Sequence, residues 1–327
     1  MNYAGVDVDS QFLVCRIQRG EQKFSIATFD NTPVGHRQFI RWCTKHHKTA
    51  RVTMEATGVY SLPFALALHQ CINIEVAVVN PRAIKNFAMA QMQRGKTDAM
   101  DADAILEYLL RMTFKEWQPP REEVLELQHI TRRIVQLTTE LTRERNRHIA
   151  ASRLGLIGRV VAHDTDLNMR HLQRRIDAMS QAAVDIIEFD SELQPKLKQL
   201  MSITGVALKT GPRILAELAG LPTDMKGPQW VAHAGLDPKP HESGKTTFKP
   251  RRISKAGNRY LREALYFPAL VASRNDPNVK AFYEKLINNG KKPMQALVAI
   301  MRKFLLAIWG MFKHNTPWDG EKFFKLA

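Results

Sequence analysis

The order of apolar runs over the first third of the chain limits most what it can fold into. Three β-rich runs, YAGVDVD, FLVCRIQ and KFSIATF, fill residues 3–29, separated by polar stretches near Ser10 and between Arg19 and Gln22. That spacing predicts an antiparallel meander. A helical stretch follows from Pro33 to His46, with Phe39, Ile40 and Cys43 on one side. RVTMEA at 51–56 reads as a strand, Leu62 to Gln70 as a helix, and IEVAVVN at 74–80 as a strand that Pro81 stops. Then GKTDAMDADAILEYLL at 95–110 reads as an apolar helix whose first turns carry Asp98, Asp101 and Asp103.

Three strands, helix, strand, helix, strand, helix is the order of an RNase H-like (RuvC-like) α/β domain, expected over 1–115. Residues 116–200 read as a helical coiled-coil linker. Within it, Leu127, Ile130, Ile134, Leu137 and Leu141 recur at steps of three and four. That stripe serves either an intramolecular bundle or a dimer seam, and a second helical run, Leu167 to Leu200, can pack back on it. Residues 201–327 read as a mainly α domain with apolar helices at Tyr260 to Ser273 and Pro293 to Phe312.

Charge separates the parts. The chain carries a formal net charge of +16, and residues 201–327 hold 21 Lys and Arg against 9 Asp and Glu. Between Lys239 and Arg262 the only acid is Glu242, while Lys245, Lys249, Arg251, Arg252, Lys255 and Arg259 alternate with Gly, Ser and Thr. Cations interleaved with hydroxyls and small residues suit phosphate contacts, so DNA or RNA is the expected partner. An acidic membrane surface is the rival. Against it, no apolar run approaches the roughly 18 residues of a spanning helix and no signal-peptide pattern opens the chain, which predicts an intracellular, soluble protein. Cys15, Cys43 and Cys71 form no CxxC pair, and the histidines show no zinc spacing. The three thiols are expected to be buried and reduced.

Asp98 and Asp101 stand three apart, on one helical face, whereas Asp103 projects elsewhere. Acids in a first turn complement the helix dipole; they also suit a hard divalent cation, which takes oxygen donors. Asp7 lies inside the first strand, where a carboxylate is costly to bury unless paired or metal-bound. Asp9 is nearer the turn and expected to be solvated. Glu55 ends the fourth strand, which in an RNase H-like sheet neighbours the first. Asp7, Glu55, Asp98 and Asp101 together suffice to hold two Mg²⁺ (or Mn²⁺) ions about 4 Å apart across a phosphodiester.

The blocks GVDVDS, MEATGVY, VVNPRAIKNFA and GKTDAMDADAIL resemble those of the DEDD insertion-sequence transposases, family one-ten, which includes Piv-type DNA invertases. The later blocks ITGVALKTGPRILAELAG, WVAHAGLDPKPHESGKT and RRISKAGNRYLREALYFPALVA resemble that family's second conserved region. The resemblance implies that the metal-binding tetrad is Asp7, Glu55, Asp98 and Asp101, and that Ser243, in the Glu-Ser-Gly step, is the nucleophile. From the residues alone Ser254, in ISKAG, is an equal candidate. The resemblance further implies a DNA recombinase that forms a phosphoserine intermediate, is guided by a structured bridge RNA, and pairs one subunit's metal site with another's serine. A homodimer or homotetramer acting at the nucleoid in the prokaryotic cytoplasm is the implied form. One departure stands out: where relatives show a proline-glycine-hydrophobic-glycine hairpin, this chain has Thr204, Gly205, Val206 and Ala207. Two other readings remain: a Mg²⁺-dependent nuclease or junction resolvase acting by water attack, and a non-catalytic nucleic-acid-binding protein.

Overall fold

A computed structural model of the chain describes residues 1–20, 23–45, 48–92, 97–156, 158–239, 242–243, 247–248 and 252–326. The chain divides into two compact units, Met1–Pro119 and Pro120–Ala327.

The first unit is a five-stranded mixed sheet with helices. β1 (Asn2–Val8), β2 (Phe12–Arg19) and β3 (Lys23–Asp30) form the antiparallel meander. Helix α1 (Pro33–Cys43) leads to β4 (Ala50–Glu55), α2 (Leu62–His69) and β5 (Ile74–Val79). β4 pairs in parallel with β1, and β5 with β4, so the order across the sheet is β3-β2-β1-β4-β5. The expected adjacency of first and fourth strands is therefore present. Alternation along the strands turns Ala4, Val6, Val8, Val52 and Met54 toward Phe39, Cys43, Phe64 and Leu68, the core beneath α1 and α2. Cys15 and Cys43 belong to that core, and burial pushes the Cys43 thiol up to about 12. Cys71, against expectation, is only partly buried.

Pro81 ends β5 as the sequence predicts, but it also opens a helix, α3 (Pro81–Ala90), that the hydrophobic pattern did not disclose. The Asn80 side chain caps it by accepting from the Arg82 amide at 2.9 Å. Proline then occupies the first turn, where its missing N–H costs nothing. The acidic helix α4 (Asp98–Arg111) is capped by Thr97, whose hydroxyl accepts from the Met100 amide. It lies on the other face of the sheet, against β1. The contact is close because Gly5 has no side chain: a Cβ there would stand 2.3 Å from the Leu106 nitrogen.

The second unit is mostly helical. α5 (Glu122–Ser152) and α6 (Arg159–Glu188) pack side by side, burying Leu137, Leu141 and Leu172 between them. Leu137 and Leu141 of the α5 stripe thus pack against α6 of the same chain, while Leu127 and Ile130 turn to the main core of the unit. α6 starts earlier than its apolar pattern predicts, and the run to Leu200 is two helices. The break lies at Asp190, whose carboxylate accepts from the amides of Glu192 and Leu193 and starts α7 (Leu193–Met201). Val124, Leu127, Ala183 and Ile187, at the near ends of α5 and α6, join one core with Leu215, Leu265 and Phe304. That core is supplied by α8 (Gly211–Ala219), α9 (Gly227–His233), α10 (Arg259–Asn275), α11 (Pro277–Asn288), α12 (Pro293–His314) and α13 (Gly320–Phe323). One correction concerns α12: an 18-residue window in it has mean hydropathy 1.5, long and apolar enough to span a membrane by length and composition. Its apolar residues Ile300, Phe304, Leu305 and Ile308 are fully buried in this core, which accounts for the composition.

Between α9 and α10 the basic segment carries short strands among its described residues. β6 (Pro238–Lys239) pairs with β9 (Arg252–Ile253), and β7 (Glu242–Ser243) pairs with β8 (Thr247–Phe248).

Candidate active site and nucleic-acid interface

Asp7 and Glu55 stand one step beyond Val6 and Met54, the last residues that pair β1 with β4. Because Val6 and Met54 point into the α1–α2 core, Asp7 and Glu55 point to the opposite face, where α4 lies. Both are half-buried. The Gly5 contact fixes α4 over β1 at Ala102 and Leu106, so the preceding turn of α4, with Asp98 exposed and Asp101 half-buried, comes near Asp7. The electrostatics agree. The Asp7 carboxyl is pushed up to about 6, first by burial and then by the neighbouring charges of Asp101, Asp98 and Asp9. Among the described residues, however, no three His, Cys, Asp or Glu side chains form a ready metal-holding group. The carboxylates share one region without forming a closed cage.

The two other acids nearby have structural partners. Asp103 projects to the next strand, where its carboxylate meets the Arg16 guanidinium at 2.8 Å. Asp9 sits in the β1–β2 turn and accepts from the Gln11 amide at 3.1 Å and the Ser10 hydroxyl at 3.0 Å. Those hydrogen bonds hold its carboxyl below the usual range.

In the second unit the basic segment is clamped at its neck. The Ser254 amide donates to the Asp237 carbonyl, and its hydroxyl donates to the Asp237 carboxylate at 2.5 Å. The Asn258 amide donates to the His233 carbonyl at 2.7 Å, and the Arg262 guanidinium donates to the carbonyls of Ala234 and Gly257. Gly257, at φ 149°, lies so close to His233 that a Cβ would stand 2.2 Å from that carbonyl oxygen. Ser254, one of the two serine candidates, is therefore a member of the clamp. Ser243 lies beyond it, in β7, opposite Thr247. Arg252, Lys255 and Arg259 are exposed, with Arg259 stacked 4.9 Å over the Tyr260 ring. Lys245, Lys249 and Arg251 lie outside the described residues.

A buried carboxylate that composition gave no reason to single out holds this neck to the long helix. Glu217, on α8, is 3% exposed. It accepts from Arg132 Nε at 2.8 Å and Nη2 at 2.9 Å, from Gln128 Nε2 at 3.2 Å and from Asn258 Nδ2 at 2.6 Å. Asn258 in turn caps α10, accepting from the Leu261 amide at 3.1 Å. At the departure at 204–207 the backbone amide of Ala207 donates to the Thr210 hydroxyl at 3.1 Å ahead of α8, a bond that glycine would make equally.

An α/β unit in which Asp98 and Asp101 act on Asp7, and a helical unit with exposed cations at Arg252, Lys255 and Arg259, have the makings of a protein that processes nucleic-acid strands. A family model described as transposase matches residues 4–152, and one described as transposase, IS116/IS110/IS902 family, matches residues 197–284. Together they cover more than half of the sequence, and the chain belongs to the IS110/IS116 family of insertion-sequence transposases. It is 28% identical to the pilin gene-inverting protein of Moraxella bovis, over 97% of both chains, and equally to that of Moraxella lacunata. It is also 30% identical, over 36% of this chain and 29% of the relative, to an uncharacterized 42 kDa protein of insertion element IS900 from Mycobacterium paratuberculosis. DNA is thus the substrate, and cleavage and rejoining of its strands is the activity the family implies.

Proposed function

We propose that the chain recombines a mobile or invertible DNA segment with a carboxylate metal site in the first unit and a serine nucleophile in the second. The observation that carries this reading is the approach of α4 to β1 at Gly5, which brings the Asp98–Asp101 turn within electrostatic reach of Asp7. The β3-β2-β1-β4-β5 order supports an RNase H-like (RuvC-like) assignment for the sheet. Similarity to pilin gene-inverting proteins along nearly the whole chain extends the reading to inversion as well as transposition.

The donor set fits a hard divalent cation: Asp7, Glu55, Asp98 and Asp101 offer oxygen alone, and the Asp7 carboxyl is raised by burial first and then by the charges of Asp101 and Asp98 close by. Two Mg²⁺ (or Mn²⁺) ions bound there would offset the charge that develops on a phosphodiester during displacement. Asp7 and Glu55 would hold them from the sheet, and Asp98 and Asp101 from the helix. The Ser243 hydroxyl, on losing its proton, attacks phosphorus; the strand's P–O bond breaks, its oxygen leaves as a hydroxyl, and the phosphate stays on the serine. Attack by a hydroxyl of the new partner strand reverses the step and seals the recombined strand. Lys245, Lys249, Arg251, Arg252, Lys255 and Arg259 would hold the phosphates.

Three finer elements rest on the family resemblance. They are a structured bridge RNA that selects donor and target, a homodimer or homotetramer in which metal site and serine come from different subunits, and action at the nucleoid of a prokaryotic cytoplasm. In that scheme residues 1–115 are the catalytic domain, 116–200 the helical linker and 201–327 the serine domain.

The test is a denaturing gel. Incubated with element ends, Mg²⁺ and the co-purifying RNA, the protein forms an adduct with DNA that survives denaturation, and Ser243→Ala abolishes it. If Ser243→Ala cleaved strands at the parental rate and neither protein formed an adduct, a nuclease acting by water attack would replace this reading, and parental joining by Ser243→Ala would remove the serine from the chemistry. Asp101→Asn retains DNA binding but not cleavage; equal cleavage by that variant would remove the carboxylates from the chemistry.

A further inference from the structure

A groove on the first unit is not explained by the carboxylate site. It runs between α1 and α2, encloses about 820 Å³, and is lined by Ser10, Asn31, Arg37, Val59, Tyr60 and Gln70 among others. That volume falls within the roughly 300–1,000 Å³ of small-ligand sites. One end adjoins the carboxylates through Asn31. Its amide donates to the carbonyl of Asp9 at 2.8 Å and to that of Tyr60 at 3.1 Å, tying the turn after Asp7 to the turn after Glu55. Its oxygen meets His36 Nε2 at 2.8 Å, which fixes the side chain in place.

Two features of the lining point to a nucleotide. Val59 is 63% exposed and Tyr60 50%, so an aromatic face stands open at the groove's mouth, four and five residues beyond Glu55. The surrounding sequence is cationic: between Asp30 and Glu75 the only acid is Glu55, while Arg37, Arg41, Lys45, Lys48 and Arg51 fall in the same span. Arg51 pairs with Glu75. Arg37 and Arg41 are exposed and have no carboxylate partner among the described residues. Of these cations Arg37 lines the groove together with Tyr60, and an open ring with a guanidinium in one groove is how proteins hold unpaired strands, because every base has a π-face and every linkage a charge. Within a duplex the bases are stacked on one another and offered only edge-on, so apart from its two ends it has no face for Tyr60 to stack on.

We propose that the α1–α2 groove binds an unpaired nucleic-acid strand leaving the carboxylate site, with Tyr60 stacking on a base and Arg37 contacting a phosphate. The direction of the strand rests on the function proposed above; the binding itself does not. Strand exchange requires freed ends to stay near the cleavage site, and a stacking platform at the edge of that site retains one without reading its sequence.

The experiment is fluorescence anisotropy with the full chain, in EDTA so that no cleavage contributes. The probes are a labelled single strand of about 12 mixed-sequence nucleotides and a duplex of the same length. Tyr60→Ala is expected to weaken single-strand binding about tenfold, with Tyr60→Phe close to the parent and duplex binding unchanged in both. Arg37→Ala is expected to reduce the single-strand salt slope by about 0.7. Unchanged duplex binding also reports that each variant is folded. The proposal is overturned if Tyr60→Ala binds the single strand as the parent does, or loses both probes equally. It is likewise overturned if the variant changes only self-association in sedimentation, which would assign the groove to a second copy of the chain. Since no readout depends on catalysis, an Asp101→Asn variant that still cleaves would defeat the carboxylate reading and leave this result standing.

Discussion

Gly5 presses against α4 so closely that a β-carbon on it would stand 2.6 Å from the Ala102 carbonyl oxygen. Both obstacles, that oxygen and the Leu106 nitrogen, are backbone atoms of a regular helix and cannot swing aside. Gly5→Ala therefore has to lift α4 off the sheet. Overpacking of this kind costs about 1–3 kcal/mol, and here it also moves Asp98 and Asp101 away from Asp7. Urea denaturation should show the loss of stability, and strand cleavage should fall further than the fraction of folded protein does.

Crowded carboxylates are relieved by a cation or by removing one of them. Asp7 carries the unfavourable contribution, since burial and its neighbours Asp101 and Asp98 both oppose its ionised form. Without divalent ions at neutral pH, Asp7→Asn is expected to melt at a higher temperature than the parent. Adding millimolar Mg²⁺ should raise the parent's melting temperature and leave that of Asp7→Asn nearly unchanged. A parental curve insensitive to Mg²⁺ and Mn²⁺ would count against a metal site at these residues.

Much of the first unit was legible because it is built from local patterns. Period-two runs mark the strands, and their order with the helices places β1 beside β4, which is what sets Asp7 near Glu55. What escaped was of two kinds. Some local signals were outweighed: Asn80-Pro81 is a cap followed by a first-turn proline, yet after a strongly apolar strand it reads only as a stop. Asp190 likewise hides inside a helical pattern that its side chain interrupts. The rest is tertiary. Nothing in ISKAG tells that Ser254 is held by Asp237, 17 residues earlier. The closeness of Gly5 to α4, about a hundred residues later, has no local pattern either. The apolar stripe on α5 signals burial without naming the surface that covers it.

Glu217 shows how much the second unit depends on one buried charge. The bidentate Arg132 fork offsets its desolvation, and Asn258 and Gln128 satisfy further lone pairs. Arg132→Met strands that carboxylate in the core and is expected to cost about 3–5 kcal/mol. Glu217→Gln removes the charge but keeps a carbonyl acceptor for Asn258, so it should cost less. Urea denaturation of both variants tests the ordering; a smaller loss for Arg132→Met than for Glu217→Gln would show that the fork contributes little.

His233 gives the same neck a dependence on pH. Burial holds its imidazole below the ordinary 6.5, the nearby Arg132 acts in the same direction, and the Glu217 charge opposes them. The folded ring is therefore neutral at pH values where the unfolded ring has begun to take up a proton. Between 6.5 and the lower folded value the unfolded chain binds more protons, so stability is fully present above that window and declines as the pH falls through it. The ring nitrogen Nε2 lies 3.4 Å from the Asn258 side-chain Nδ2, and only a neutral imidazole can accept from that donor. In urea titrations the parent's midpoint should fall between pH 7.5 and 5.5 more than that of His233→Gln. His36, whose imidazole burial also lowers, contributes equally to both proteins and cancels in the difference. Parallel declines in parent and variant would mean that His233 titrates in the fold as it does in the unfolded chain.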